Sequence, residues 1–176
     1  MKIIKTELDD CIVIQPAVFK DDRGFFQETY NHKRYSEQAG ISYNFVQDNQ
    51  SRSKKGVLRG LHFQKKNPQG KLVRVTRGEV FDVVVDIRKE SNTFGKWNGV
   101  YLNEDNKKQL WVPPGFAHGF KMTSDMADFE YKCTIFYDAT VEGLIICNDR
   151  YLKIQWPESN PIVSNKDKQA NLFCNL

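Results

Sequence analysis

The chain has 176 residues, of which 40% are hydrophobic and 27% charged, as in ordinary soluble globular proteins. The formal net charge of +4 is spread along the chain, so no dense Lys/Arg block favours nucleic acid as a partner. No apolar run approaches the about 20 residues that span a bilayer, and residues 1–8 lack the apolar core of a signal peptide. We therefore expect a cytoplasmic protein with no membrane partner, folded as one domain over residues 1–176.

The hydrophobic pattern indicates many short strands. Residues 71–76, 80–88 and 129–135 alternate between two faces, as strands in a sheet do. Clusters of Gly, Asn, Asp and Pro, for example at 103–106 and 113–115, separate the runs. Short strands with such separators predict an all-β antiparallel sandwich or barrel.

Outside the strands, the sequence predicts little regular structure. A short helix is expected at residues 32–38, and the stretch from Lys166 onward is helical or irregular. The four cysteines have no paired spacing, which disfavours both a disulfide framework and a zinc cluster. We expect them to be small buried or half-buried side chains; they are Cys11, Cys133, Cys147 and Cys174.

Residues 113–118 place His118 three residues beyond a Pro-x-Gly turn. This resembles the second motif of the cupin superfamily, whose jelly-roll barrels often hold a metal. Metal-binding cupins also supply a His-x-His pair and a glutamate, whereas residues 60–64 contain His62 alone. With three histidines in the whole chain, a site with three or four ligands is hard to assemble. We therefore expect a barrel that works through side chains without a metal.

Several further motifs narrow the resemblance. They occur in order between about Arg23 and Asp167, and they are RGFFQETY (23–30), FVQDN (45–49), GVLRGLHFQ (56–64), QGKLVRV (69–75), PPGFAHGF (113–120), YK (131–132) and KD (166–167). Together they resemble the dTDP-4-dehydrorhamnose 3,5-epimerase family. The resemblance implies a cupin-type jelly-roll β-barrel with a few short helices, a homodimer, a nucleotide-sugar substrate, and neither metal nor organic cofactor.

The resemblance also implies a reaction and a set of site residues. The reaction would invert C3 and C5 of dTDP-4-dehydro-6-deoxy-D-glucose in dTDP-L-rhamnose synthesis. His62 would be the general base, oriented by Asp167, and Tyr131 would be the acid on the opposite face of the sugar. Lys71 would lie near the C4 oxygen. Further substrate-binding residues would be Arg59, His118 and Lys166 along the sugar-diphosphate path, with Arg23, Phe26, Glu28, Gln47, Asp48, Asn49 and Glu142 holding the nucleotide, some of them across the dimer interface.

These residue types suit the chemistry. Inversion next to a ketone removes an α-proton and returns a proton from the other face, and an imidazole is a suitable base near neutral pH. A carboxylate on the far ring nitrogen fixes the tautomer, and a phenol can donate the second proton. The enolate carries its charge on the C4 oxygen, where one cationic donor contributes roughly 3 kcal/mol.

Each residue also has an ordinary structural interpretation. His62 could be a hydrogen-bonded strand residue, and Tyr131 could belong to the core. Lys71 could extend to solvent, and Asp167 could be a surface acid in a charge run. The proposed nucleotide residues could make strand-end hydrogen bonds only, and the aromatic side chains Tyr137 and Trp156 could contact either ligand or core.

One detail conflicts with simple alternation. Arg59 and His62 fall on opposite faces of a regular strand. If both reach the ligand, Gly60 must mark a bulge or twist in the strand.

Alternative functions remain open from the sequence. An epimerase acting at C3 or C5 alone, or on a related nucleotide sugar, would keep the same residues. A 3,4-ketoisomerase-like cupin is disfavoured by the combination of Tyr131, the Lys71 segment and the motif around His62. A non-catalytic sugar-binding cupin would not need both a base and an acid, and a metal-dependent cupin would need more ligands.

Overall fold

The computed structural model describes residues 1–158 and 160–176, and strands dominate it. In chain order the strands are β1 (Lys2–Lys5), β2 (Ile12–Gln15), β3 (Val18–Asp21), β4 (Gly24–Gln27), β5 (Gln47–Lys54), β6 (Leu58–Gln64), β7 (Lys71–Arg77), β8 (Glu79–Asp86), β9 (Trp97–Asn103), β10 (Gln109–Val112), β11 (Phe116–Met122), β12 (Met126–Cys133) and β13 (Glu142–Leu144). The α-helices are α1 (His32–Ala39) and α2 (Asn165–Lys168), and 3-10 turns lie at Ala139–Val141 and Phe173–Asn175.

The strands form two large sheets and a separate ribbon. The six-stranded sheet has the order β1-β2-β10-β7-β12-β5, the five-stranded sheet has the order β13-β6-β11-β8-β9, and β3 pairs with β4. Every pairing between these strands is antiparallel. The predicted all-β, cupin-type barrel with a few short helices is confirmed. The predicted strands also match, with small differences at their ends: β8 ends at Asp86 and β12 at Cys133.

The two sheets enclose the main core. Buried side chains from both sheets meet between them, and they include Val73, Val75, Leu110, Phe129, Val80, Val84, Phe116 and Phe120. This is the side-chain set that alternation assigns to one face of each strand. Burial of these apolar groups is the main source of stability for such a sandwich.

The outer faces of both sheets are also covered, so several strands are buried on both sides. Phe81, Val83 and Val85 of β8 pack under C-terminal residues such as Leu152 and Phe173. On the other sheet, α1 and the loop after it lie over Leu72 and Trp111 through side chains such as Tyr35 and Ile41. The C-terminal chain that covers the five-stranded sheet also carries α2.

Helix α1 lies where the sequence predicts a helix. The Asn31 side chain caps its N-terminus by accepting a hydrogen bond from the Arg34 backbone N–H. Gly40 ends it in a left-handed conformation, with φ 69°, and donates its N–H to Ser36. None of the helices in the described part of the chain is long and apolar enough to cross a membrane.

Strand β6 contains the predicted irregularity. His62 pairs with His118, and Arg59 pairs with Phe120, so three steps along β6 match two along β11. The extra residue is a bulge, which turns Arg59 to the same side of the sheet as His62.

Gly60 makes this bulge possible. Its φ is +129°, a conformation that L side chains rarely adopt. A Cβ at this position would lie 2.5 Å from the Gly119 Cα and 2.9 Å from the His118 carbonyl oxygen. The backbones of β6 and β11 therefore approach closely only because Gly60 and Gly119 both lack a side chain.

Candidate active site

A cavity of about 370 Å³ opens at one end of the space between the sheets. Strands of both sheets line it, which places residues distant in sequence around one volume. Eight of the residues predicted for the site line this cavity: Gln47, Asn49, Arg59, His62, Lys71, His118, Tyr131 and Glu142. The sequence-based interpretation therefore converges on one place in the fold.

The buried carboxylate of Asp167 contacts one ring nitrogen of His62. Its Nε2 lies 2.7 Å from Asp167 Oδ1. Asp167 is buried, and although burial raises its pKa, the hydrogen bond with His62 and other contacts outweigh this and leave the pKa below its usual value. An ionised carboxylate at this distance accepts a hydrogen from Nε2, and in a neutral imidazole that tautomer leaves the lone pair on Nδ1. Asp167 is thus not a surface acid.

A second carboxylate flanks the other nitrogen of His62. Glu142 Oε1 lies 3.9 Å from His62 Nδ1. The other oxygen of Glu142 accepts hydrogen bonds from the Tyr137 hydroxyl, at 3.0 Å, and from Lys166 Nζ. These two donors lower the pKa of Glu142 although its burial acts in the opposite direction. Lys166 therefore lies at the rim of the cavity, paired with Glu142.

Lys71 and Tyr131 project into the cavity from neighbouring strands. Lys71 Nζ lies 5.8 Å from the centre of the Tyr131 ring. Burial lowers the pKa of Lys71, and nearby negative groups such as Asp82 and Glu142 oppose that effect in part. Burial raises the pKa of Tyr131, so its phenol remains protonated at neutral pH. The cavity therefore contains the Lys71 amine beside a protonated phenol.

A second histidine–carboxylate pair borders the cavity through its histidine, His118. His118 Nε2 lies 3.0 Å from Asp82 Oδ1, and both side chains are buried. Burial lowers the pKa of His118 more than Asp82 raises it, which favours a neutral imidazole. Nearby, the Arg59 guanidinium donates to Ser53 Oγ at 3.1 and 3.0 Å. Over the described ranges, no group of three or more His, Cys, Asp or Glu side chains has the arrangement of a metal site.

Four predicted nucleotide residues lie away from the cavity of this chain. Asp48 faces the outer side of the six-stranded sheet and pairs with Lys132 at 2.8 Å. Glu28 pairs with Arg34 at 2.9 Å. Arg23 and Phe26 belong to the exposed hairpin of β3 and β4. If these four residues contact a nucleotide as predicted, that nucleotide must lie outside the cavity of their own chain.

A second cavity of about 460 Å³ lies on the outer face of the six-stranded sheet. Its charged side chains are paired with one another: Arg74 lies 2.6 Å from Glu130, and Asp48 pairs with Lys132. Neither His62 nor Lys71, the predicted base and cationic donor, lines this second cavity. The chemistry is therefore assigned to the cavity between the sheets.

Sequence reasoning missed Asp82 and left two aromatic residues open. Asp82 is an acid on a face of β8 where its neighbours are Val80 and Val84, and a buried carboxylate in such a strand needs a partner. That pattern was a usable signal. Tyr137 lines the cavity, whereas Trp156 packs against the outer core and donates to the Cys147 carbonyl oxygen at 2.7 Å.

Comparisons with known proteins identify the family of this chain. The family model for dTDP-4-dehydrorhamnose 3,5-epimerase matches residues 5–175. The dTDP-4-dehydrorhamnose 3,5-epimerase of Salmonella typhimurium strain LT2 is 55% identical over 175 residues, which cover 98% of this chain and 96% of that protein.

Two solved structures are similarly close. The dTDP-6-deoxy-D-glucose-3,5-epimerase of Legionella pneumophila Philadelphia 1, in complex with dTDP-4-keto-L-rhamnose, is 53% identical with a TM-score of 0.96, covering 98% of this chain and 93% of that one. The Bacillus anthracis enzyme, with TDP and PPi bound, is 45% identical with a TM-score of 0.94, covering 97% of this chain and 98% of that one. The chain described here belongs to the dTDP-4-dehydrorhamnose 3,5-epimerase family.

Proposed function

We propose that this chain, as one epimerase domain over residues 1–176, converts dTDP-4-dehydro-6-deoxy-D-glucose to dTDP-4-dehydro-L-rhamnose in dTDP-L-rhamnose synthesis. The observation that carries the proposal is the cavity in which His62, Tyr131 and Lys71 meet. Family membership supports the substrate and the double inversion at C3 and C5. We also propose that the reaction takes place in the cytoplasm.

Each inversion begins with proton abstraction. His62 Nδ1 takes the proton from the carbon next to the ketone, and the electron pair of that bond moves to the C4 oxygen. The imidazolium that forms is stabilised by the hydrogen bond from Nε2 to Asp167. A base positioned in this way contributes typically about 10²–10⁴-fold to the rate.

The enolate is then stabilised and protonated. The Lys71 ammonium is the cationic donor for the C4 oxygen. The Tyr131 phenol delivers a proton to the carbon from the face opposite His62, which inverts the centre. The raised pKa of Tyr131 supports this role, because a phenol that is still protonated can donate.

The rest of the substrate is proposed to bind to the wall and the rim of the cavity. Arg59, His118 and Lys166 are proposed to hold the sugar and the diphosphate. The relatives with dTDP-4-keto-L-rhamnose and with TDP and PPi support a site for this class of ligand. Gln47, Asn49 and Glu142 complete the wall next to the nucleotide.

We further propose a homodimer in which the hairpin of β3 and β4 completes the partner's site. The hairpin exposes Phe19, Phe25 and Phe26, with 65%, 55% and 70% of each residue accessible. So much exposed aromatic surface on a small ribbon favours an interface. This arrangement accounts for Arg23 and Phe26, which lie on the hairpin and do not line the cavity of their own chain. Glu28 and Asp48 remain predicted nucleotide residues of the same shared site.

Mixed dimers test the shared site. His62→Ala removes the base, and Phe26→Ala removes the ribbon aromatic, so each homodimer is expected to be impaired. After the two variants are unfolded and refolded together, a hybrid dimer contains one intact site and should regain activity. Absence of any recovery in a verified hybrid would contradict a site shared between two chains.

The reaction is tested by incubating the wild-type protein with dTDP-4-dehydro-6-deoxy-D-glucose in heavy water. NMR should show deuterium at both C3 and C5 and the L-rhamno configuration in the product. Label at one carbon alone would favour the single-site epimerase, for which the same residues would suffice. Unlabelled substrate would instead favour a non-catalytic sugar-binding protein.

A further inference from the structure

Two inversions on one sugar make a demand on His62 that a single inversion does not. After the first abstraction His62 carries a proton, and it cannot act as a base again until that proton has left. If the sugar dissociates between the two inversions, His62 can lose this proton to water. If the sugar stays bound, the proton needs a route out of an occupied cavity. This question rests on the proposed function, in which His62 serves both carbons.

The two nitrogens of His62 differ in their access to solvent. Nε2 faces Asp167, which is buried with its side chain 5% accessible. Nδ1 faces the cavity, and an attacking base atom must come within about 3–3.5 Å of its target. The bound sugar therefore covers Nδ1 during the reaction. A proton acceptor in the cavity wall beside Nδ1 would provide such a route.

Glu142 is placed to provide this route. Its Oε1 lies 3.9 Å from His62 Nδ1, so a movement of about 1 Å would bring the pair to hydrogen-bond distance. Its Oε2 accepts from the Tyr137 hydroxyl and from Lys166 Nζ. The side chain of Lys166 is 54% accessible, and Tyr137 is exposed as well. The carboxylate thus connects the base atom to groups in contact with water.

We propose that Glu142 takes the first proton from His62 Nδ1 and releases it to solvent while the sugar is still bound. Glu142 acts through His62 and does not itself contact the reacting carbon.

The proton balance closes at every step. The C–H electron pair moves into the enolate, and its proton goes to Nδ1, then to the Glu142 carboxylate, and then to water. The enolate carbon receives a proton from Tyr131, whose phenolate is reprotonated by water. One proton leaves and one enters for each inverted centre, and nothing is oxidised or reduced.

The groups around Glu142 favour release of a proton to water over its retention on the carboxyl group. Tyr137 and Lys166 hold the pKa of Glu142 below its ordinary value, against the opposite effect of burial. A carboxyl group with a lowered pKa loses its proton readily to water at neutral pH. The residue therefore returns quickly to the charged form that can accept the next proton.

The test is Glu142→Gln, since the amide keeps the size of the side chain and cannot accept a proton. Enzyme in excess over dTDP-4-dehydro-6-deoxy-D-glucose is mixed in heavy water, and deuterium at C3 and C5 is followed by NMR. Because both inversions occur on the same bound sugar, a loss of binding affects both alike, and we expect the ratio of the second rate to the first to fall by about 10-fold or more. A singly inverted sugar should accumulate. Added imidazole buffer, as a diffusible proton acceptor, should restore the second inversion in a concentration-dependent manner.

Controls separate this role from a structural one. Glu90→Gln removes an exposed carboxylate outside the site, and both rates should match the wild type. Glu142→Asp keeps the charge but withdraws it from His62, so the rate ratio should again fall and should respond to imidazole. If Glu142→Gln does not fold, Glu142→Asp serves as the test variant. Equal slowing at both carbons, with no response to buffer, would show that Glu142 only orients His62 and would overturn the inference.

The same data distinguish a failure of the proposed function. Label at one carbon alone with the wild-type protein would contradict double inversion, and the inference with it. Label at both carbons in the wild type, with an unchanged rate ratio in both Glu142 variants, would reject the proton route alone.

Discussion

The hydrogen bond between His62 Nε2 and Asp167 Oδ1, 2.7 Å long, joins strand β6 to helix α2 across 105 positions of the chain. The Ser164 side chain accepts a hydrogen bond from the Asp167 backbone N–H and so caps the short helix that carries the carboxylate. The C-terminal segment therefore orients the His62 ring as well as packing on the sheet. Under the proposed function, this contact leaves Nδ1 of His62 as the base.

Asp167→Asn should inactivate the enzyme without unfolding it. An amide can donate to Nε2, which would place the hydrogen on Nδ1 and block the base. We expect kcat to fall by about 10²–10⁴-fold with KM little changed. Steady-state kinetics together with circular dichroism would measure both effects. As a control, Ser164→Ala removes the helix cap, at a cost of about 1 kcal/mol, but keeps the carboxylate. An Asp167→Asn variant with near-normal kcat would remove Asp167 from the mechanism.

The alkaline limb of the pH profile should belong to Lys71. Burial lowers its pKa, so activity that needs the ammonium is present below that pKa and is lost as pH rises through it. Tyr131 has a raised pKa and remains protonated over the same range. Lys71→Arg keeps its charge to above about pH 12, so the alkaline loss of kcat/KM should move to higher pH in this variant. An unchanged alkaline limb would show that another group is responsible for it.

Lys71→Met should lower kcat/KM by about 10²–10³-fold.

Tyr131→Phe should separate proton exchange from inversion. The variant retains His62 and Lys71, so the enolate still forms, but the proton donor on the opposite face is absent. In heavy water we expect deuterium to enter the substrate with its original configuration, while epimerised product is strongly reduced. NMR detects the two outcomes separately. Equal loss of exchange and inversion would argue that Tyr131 supports the pocket and is not the acid.

The bulge at Gly60 should be essential for folding around the site. In Gly60→Ala, the added Cβ would meet the Gly119 backbone at 2.5 Å. Gly24→Ala is a matched control, because φ is similar at +127° and nothing lies within 4 Å of the added atom. The control should lose about 1–2 kcal/mol of unfolding free energy, and Gly60→Ala clearly more. Denaturant titration compares the two. Equal losses would mean that the close approach of β6 and β11 is unimportant.

Much of the barrel could be predicted from the sequence because its strands alternate regularly. The runs around Val73, Val83 and Phe129 all became strands, and the conflict between Arg59 and His62 correctly indicated a bulge at Gly60. Local periodicity is sufficient for such inferences, since it depends on neighbouring residues only.

The parts that sequence could not supply depend on long-range contacts. Asp167 lies in a run of charges that looks solvated, and its burial results from the packing of the C-terminal segment on the five-stranded sheet. The pairing of Asp82 with His118 requires the register of β8 against β11. The position of Glu142 beside His62 follows from the pairing of β13 with β6. Such juxtapositions are set by tertiary structure and leave little trace in local pattern.

The most direct test of the central claim is deuterium exchange in His62→Ala. If His62 is the base, neither C3 nor C5 of dTDP-4-dehydro-6-deoxy-D-glucose acquires deuterium above the uncatalysed rate, although the variant still binds the nucleotide sugar as measured by calorimetry. Exchange at either carbon at a rate near that of the wild type, in a variant of proven purity, would show that another group is the base.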